Sequence, residues 1–142
     1  MSFQRILVPI DFSEDSLFAF QVALDHYAGK DKALVLVHVI DPHANEMNQG
    51  REMGSALIEE RRRALTTLAN SRRDLWGEVE ALIESGKPAD AIIAVAKAEH
   101  TDLVIMGSHG SSGLGHVLFG STTYEVARKL KCSVMISKRA VG

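Results

Sequence analysis

Seven consecutive residues, Ala33-Leu34-Val35-Leu36-Val37-His38-Val39, contain a single polar side chain. A strand with one wet face would alternate, so a run this apolar reads as a strand covered on both sides. Covering both faces of a sheet takes crossover helices, and the rest of the chain supplies them. Shorter apolar runs at Phe3–Val8, Val79–Glu84, Asp102–Met106 and Ser133–Lys138 alternate with segments of helical period. Five strands joined by four crossovers form an open parallel sheet with helices on both faces.

The helices carry local signals. Ser13 is an N-cap for a helix over about Glu14–Ala28, with Phe12 and Leu17 placed as a hydrophobic staple and Gly29 as the stop. Leu17, Phe20, Leu24 and Tyr27 recur at helical spacing and are expected to face the sheet. A longer helix over about Met53–Leu75 turns Leu57, Leu65 and Leu68 inward and its Glu59–Arg63 charge run to solvent. Pro88 suits the first turn of a third helix, and Ser121–Leu130 reads as a fourth. At 142 residues, with no linker or repeat, the chain is expected to be one domain over residues 1–142.

A net charge of −2 gives no basic surface for nucleic acid or an anionic membrane. The apolar run at the N-terminus is stopped by Pro9 and Asp11, too soon for a signal peptide or a membrane span. One cysteine, Cys132, cannot form an internal disulfide, so a cytoplasmic location is expected.

Two connections look built for function. Pro9-Ile10-Asp11 follows the first strand, and a glycine-rich stretch from Gly107 to Gly120 follows the fourth. In parallel sheets, ligands bind beyond the carboxyl ends of the strands, where strand order reverses. If strands one and four are neighbours, both loops meet in one crevice. Five glycines (Gly107, Gly110, Gly113, Gly115, Gly120) let backbone approach a ligand, and Gly120 opens a helix whose first amides lack partners. Ser121 and Thr122 add hydroxyls, which completes a cradle for phosphate. A plain surface turn would not need strand, spaced glycines, hydroxyls and helix start in that order.

Other chemistries find little support. Gly115-x4-Gly120-Ser121-Thr122 mimics a P-loop but has no lysine, and it follows the fourth strand rather than an early one. The loop after the first strand has no glycine, which excludes a dinucleotide fingerprint there, and no G-x-S-x-G elbow is present. The histidines lack zinc spacing; His109 and His116 fall in the glycine loop as candidate ligand contacts, and His38 falls at a strand end. No second carboxylate stands at a telling distance from Asp11, so paired acid–base catalysis is not indicated.

The pattern Gly107-x2-Gly110-x9-Gly120-Ser121-Thr122 resembles the ATP-binding signature of universal stress proteins, G-x2-G-x9-G-[S/T]. Ile6–Ser13, His38–Asp41 and Asp102–Gly110 are similar to that family's first strand and loop, second strand end, and fourth strand. The resemblance covers the whole chain. It implies a Rossmann-like sheet of the adenine nucleotide alpha hydrolase kind, ordered 3-2-1-4-5. It also implies ATP, with Mg2+ as a candidate companion, held by Pro9, Asp11, Val39, Gly107, Gly110, Gly120, Ser121 and Thr122. In that arrangement Asp11 lies by the ribose or phosphates, and the Val39 backbone reads the adenine edge.

The family is usually homodimeric through the last strand, here Ser133–Lys138, which has only four residues after it to cover its edge. Two departures stand out. Cys132 replaces a proline common before the last strand, and Ser111–His116 has no lysine or arginine. The expected function is that of a small ATP-binding regulator or sensor in stress response, acting on an unidentified protein partner. A slow ATP hydrolase and a nucleotide-free dimerisation or adaptor module are the alternatives. No general base or arginine finger supports efficient turnover.

Overall fold

The computed structural model describes residues 2–42, 53–108 and 120–139. In chain order the elements are β1 (Arg5–Pro9), α1 (Glu14–His26), β2 (Ala33–Ile40) and α2 (Met53–Ser71). A single 3-10 turn (Arg73–Leu75) leads to β3 (Glu78–Ser85), α3 (Pro88–Ala98), β4 (Leu103–Gly107), α4 (Ser121–Lys129) and β5 (Ser133–Ser137). All strand pairings are parallel, and the order across the sheet is β3-β2-β1-β4-β5.

The order explains the composition of each strand. β1, β2 and β4 lie inside the sheet, and Ile6, Leu7, Val8, Val35, Leu36 and Val37 have essentially no exposed surface. Alternate side chains enter two cores. Ile6, Val8, Leu34, Leu36 and Ile105 pack under Ala19, Phe20 and Ala23 of α1 and Leu65 and Ala69 of α2. Leu7, Val35, Val37, Val104 and Met106 pack against Ile92, Val95 and Ala96 of α3 and Val126 of α4. Each large aliphatic side chain so buried contributes about 1.5–3 kcal/mol. β3 is an edge strand, which accounts for its mixed Glu-Val-Glu-Ala-Leu-Ile-Glu-Ser sequence.

Some local expectations are corrected. Leu17 is 38 % exposed and makes no part of the sheet-facing stripe; its buried residues are Ser16, Ala19, Phe20 and Ala23, with Leu24 and Tyr27 half-buried against the same core as expected. Small residues lie there because α1 approaches the sheet closely at its first turn. α1 stops with Tyr27 as its C-cap, before Gly29. The long helix ends at Ser71, and the 3-10 turn then seats Trp76 in the core at 4 % exposure. Asp102 precedes β4 rather than opening it. Its carboxylate accepts the amides of Gln4 at 2.9 Å and Arg5 at 3.0 Å, pinning the start of β1 beside β4.

Candidate functional site

β1 and β4 are neighbours, with Ile6 opposite Leu103 and Leu7 opposite Val104. Their continuations part at the carboxyl edge: β1 leads into α1 on one face, and β4 leads towards α4 on the other. The gap between them is a crevice of about 380 Å³, within the range of small-molecule sites. Pro9, Asp11, Val39, Gly107, Gly120, Ser121 and Thr122 all line it. Gly110, His109 and His116 lie outside the described residues.

One wall is the start of α4. Gly120 is its N-cap, in extended conformation and without a side-chain hydrogen bond. The Gly120 amide donates to Ser108 O at 2.9 Å, which brings the two ends of the glycine-rich stretch together. The first helical bond of the chain here is Tyr124 N–H to Gly120 O at 3.0 Å. The amides of Ser121, Thr122 and Thr123 therefore have no acceptor within the helix, and the helix dipole is positive at this end. Thr123 Oγ1 donates to Gly107 O at 3.0 Å and ties the helix to the end of β4.

The opposite wall is the loop after β1. Asp11 Oδ1 accepts both the amide and the hydroxyl of Ser13, while Ser13 Oγ accepts from Ser16 N and caps α1. Ser16 Oγ in turn accepts the Asp11 amide at 3.3 Å. Phe12, between them, has φ +64°, a left-handed conformation unusual for an aromatic residue. Asp11 is thus both a brace for the start of α1 and a lining residue of the crevice.

The floor is the end of β2. In a parallel ladder the backbone groups of alternate residues turn to the same neighbour. The Ala33 amide donates to Gln4 O and the Val37 carbonyl accepts from Ile10 N, so odd-numbered residues of β2 face β1. Ile40 O faces β3 and accepts from Gly86 N. By that alternation the N–H and C=O of Val39 face the space that the chain of β1 vacates when it turns away after Ile10.

Among the other residues that line the crevice, three were not expected to face a ligand. Leu57 and Arg61 come from one stripe of α2, and His38 comes from β2. Arg61 is half-buried, which corrects its assignment to a solvated charge run; Arg62 and Arg63 are exposed as expected. The signal was available, since Arg61 stands four residues after Leu57 and four before the buried Leu65. His38 is 5 % exposed, with Nδ1 2.7 Å from Ile10 O. Burial, and secondarily the Arg61 charge, hold its pKa below the ordinary 6.5, against the Ile10 hydrogen bond and Asp11, which raise it. Among the described residues no cluster of three His, Cys, Asp or Glu could hold a metal ion.

The sequence model of the universal stress protein family matches residues 2–138. The chain belongs to that family. The universal stress protein MJ0577 of Methanocaldococcus jannaschii is 29 % identical, with 96 % of each chain aligned. The solved structure of MJ0577 superposes with a TM-score of 0.89 at 30 % identity, covering all of both chains. A universal stress protein in complex with cAMP shares the fold at a TM-score of 0.68 and 24 % identity, over 96 % of this chain and 98 % of that one. A family member from Arabidopsis thaliana with AMP bound does so at 0.67 and 20 %, over 97 % and 93 %. This universal stress protein therefore has the family's sheet, in the order 3-2-1-4-5, with no helix among its described residues long and apolar enough to cross a membrane.

Proposed function

We propose that this universal stress protein binds an adenine nucleotide, ATP foremost, across the carboxyl edge of β1 and β4. The observation that carries the reading is the uncapped start of α4 facing the same crevice as the Val39 backbone. Free amides and a positive helix end suit phosphates. A backbone donor and acceptor side by side suit the edge of a purine. Two structures with this fold hold adenine nucleotides, cAMP in one and AMP in the other.

Gly107, Gly120, Ser121 and Thr122 would take the phosphates, Pro9 and Asp11 the ribose or an accompanying Mg2+, and Val39 the base. Gly110 belongs to the same motif. The Asp11 carboxylate already accepts two hydrogen bonds from Ser13, which favours a binding role over that of a general base. The protein then acts as a cytoplasmic stress-response regulator whose nucleotide state is read by a protein partner. The exposed edge of β5 supports a homodimer, since β5 pairs with β4 alone among the described strands.

Equilibrium dialysis with labelled ATP, with and without Mg2+, tests the reading beside a Gly120→Val variant. Saturable binding by the parent and at least about a tenfold loss in the variant are expected, equivalent to about 1.4 kcal/mol. Equal binding by both proteins would remove α4 from the site.

A further inference from the structure

We propose that His38 is a positioning residue that terminates the β1–β2 ladder and thereby leaves the Val39 amide open to a ligand. The inference rests on the nucleotide reading above only for which ligand is used as a probe. The ladder runs in register from Arg5–Ala33 to Pro9–Val37. It continues for one more bond, Ile10 N–H to Val37 O at 2.8 Å. The next bond of a parallel ladder would run from Val39 N–H to Ile10 O. Here the imidazole of His38 takes that acceptor instead, with Nδ1 at 2.7 Å.

A carbonyl oxygen can only accept, so Nδ1 carries the hydrogen and the neutral ring is the Nδ1–H tautomer. The bond is buried, where leaving a carbonyl unpaired is costly. A side chain of β2 thus satisfies Ile10 without recruiting the backbone of Val39. The chain of β1 is freed to turn away. Phe12 takes its left-handed conformation against the same imidazole, with ring centres 5.1 Å apart and planes tilted by 51°. Asp11 lies between those two anchors, Ile10 and Phe12, so His38 holds both the Asp11 wall and the Val39 floor of the crevice. Asp11 from this loop and Arg61 from α2 are the charged groups that act on the ring.

Two variants and one spectrum test this. In His38→Asn the side-chain amide can still donate to Ile10 O, close to where Nδ1 stood. In His38→Phe the ring volume stays and the donor is gone. With ATP as the probe in equilibrium dialysis at pH 7.5, the Asn variant is expected within about threefold of the parent and the Phe variant weakened about tenfold or more. Circular dichroism confirms that each is folded. Imidazole 15N shifts of the parent protein, taken without ligand, are expected to show Nδ1 protonated, and the Val39 amide is expected to exchange faster than that of Val37.

Equal ATP affinity of folded His38→Phe and parent would overturn the proposal, as would an Nε2–H tautomer or a protected Val39 amide. If His38→Phe does not fold, the tautomer and the Val39 exchange decide. Failure of the parent to bind ATP at all would sink the nucleotide reading and leave these two readouts standing.

Discussion

Replacing Gly107 with alanine tests how tightly α1 is seated on the end of β4. A Cβ at this position would stand 2.7 Å from both the carbonyl carbon and oxygen of Asp15 and 2.9 Å from its Cβ. Two of those atoms are backbone in the first turn of α1, so no rotamer change relieves the overlap. The helix start must lift. Overpacking of this kind costs about 1–3 kcal/mol, and the lower chain entropy of alanine in the unfolded state returns about 0.4–1 kcal/mol. For 142 residues the unfolding entropy is about 0.3 kcal/mol/K, so each kcal/mol lowers the midpoint by about 3 °C. The middle of both ranges leaves a net loss of about 1.3 kcal/mol, so a fall of about 4 °C in the calorimetric melting temperature is expected. The lifted turn also carries Ser16 at the crevice, and its cap Ser13 braces Asp11, so ATP affinity should fall with it. Gly54→Ala is the control, because nothing lies within 4 Å of a Cβ there and the site is an exposed helical turn; it should hold or raise the midpoint slightly. A Gly107→Ala protein melting above the parent would refute the packing argument.

Three other outcomes follow from the same geometry. Thr123→Val removes the buried hydroxyl that donates to Gly107 O and should cost about 1–2 kcal/mol in urea unfolding. His38 has a folded-state pKa below 6.5, so between those two values the unfolded chain binds more protons than the folded one. Its contribution is therefore intact above pH 6.5 and is lost as the pH falls through the folded pKa; His38→Asn should flatten that part of the stability–pH curve, and an unchanged curve would contradict it. Light scattering at micromolar concentration should find a dimer that Ile136→Lys, on the half-buried edge strand β5, converts to a monomer; a monomeric parent would dismiss the β5 interface.

Much of this protein is written in short stretches of its sequence. The apolar run of β2 required cover on both faces, and the cover required helices between parallel strands. Ser13 before Glu14 and Pro88 after Lys87 marked helix starts because capping and proline geometry act over a few residues. The spacing of Gly107, Gly120, Ser121 and Thr122 was legible for the same reason: strand end, turn and helix start are local. What the sequence could not reveal was contact between segments far apart in the chain. Leu17 has the hydrophobicity and spacing of a core residue, yet the small faces of Ser16 and Ala19 are what let α1 close on β4. Arg61 looks like one of three solvated arginines until α2 is laid over β2, when it alone of the three lines the crevice. His38 reads as a strand-end histidine, and only the parting of β1 from β2 after Ile10 gives its Nδ1 a carbonyl to bind. Local pattern determines which elements form; the alignment of strand ends, set by packing across the sheet, decides which backbone groups are left facing a ligand.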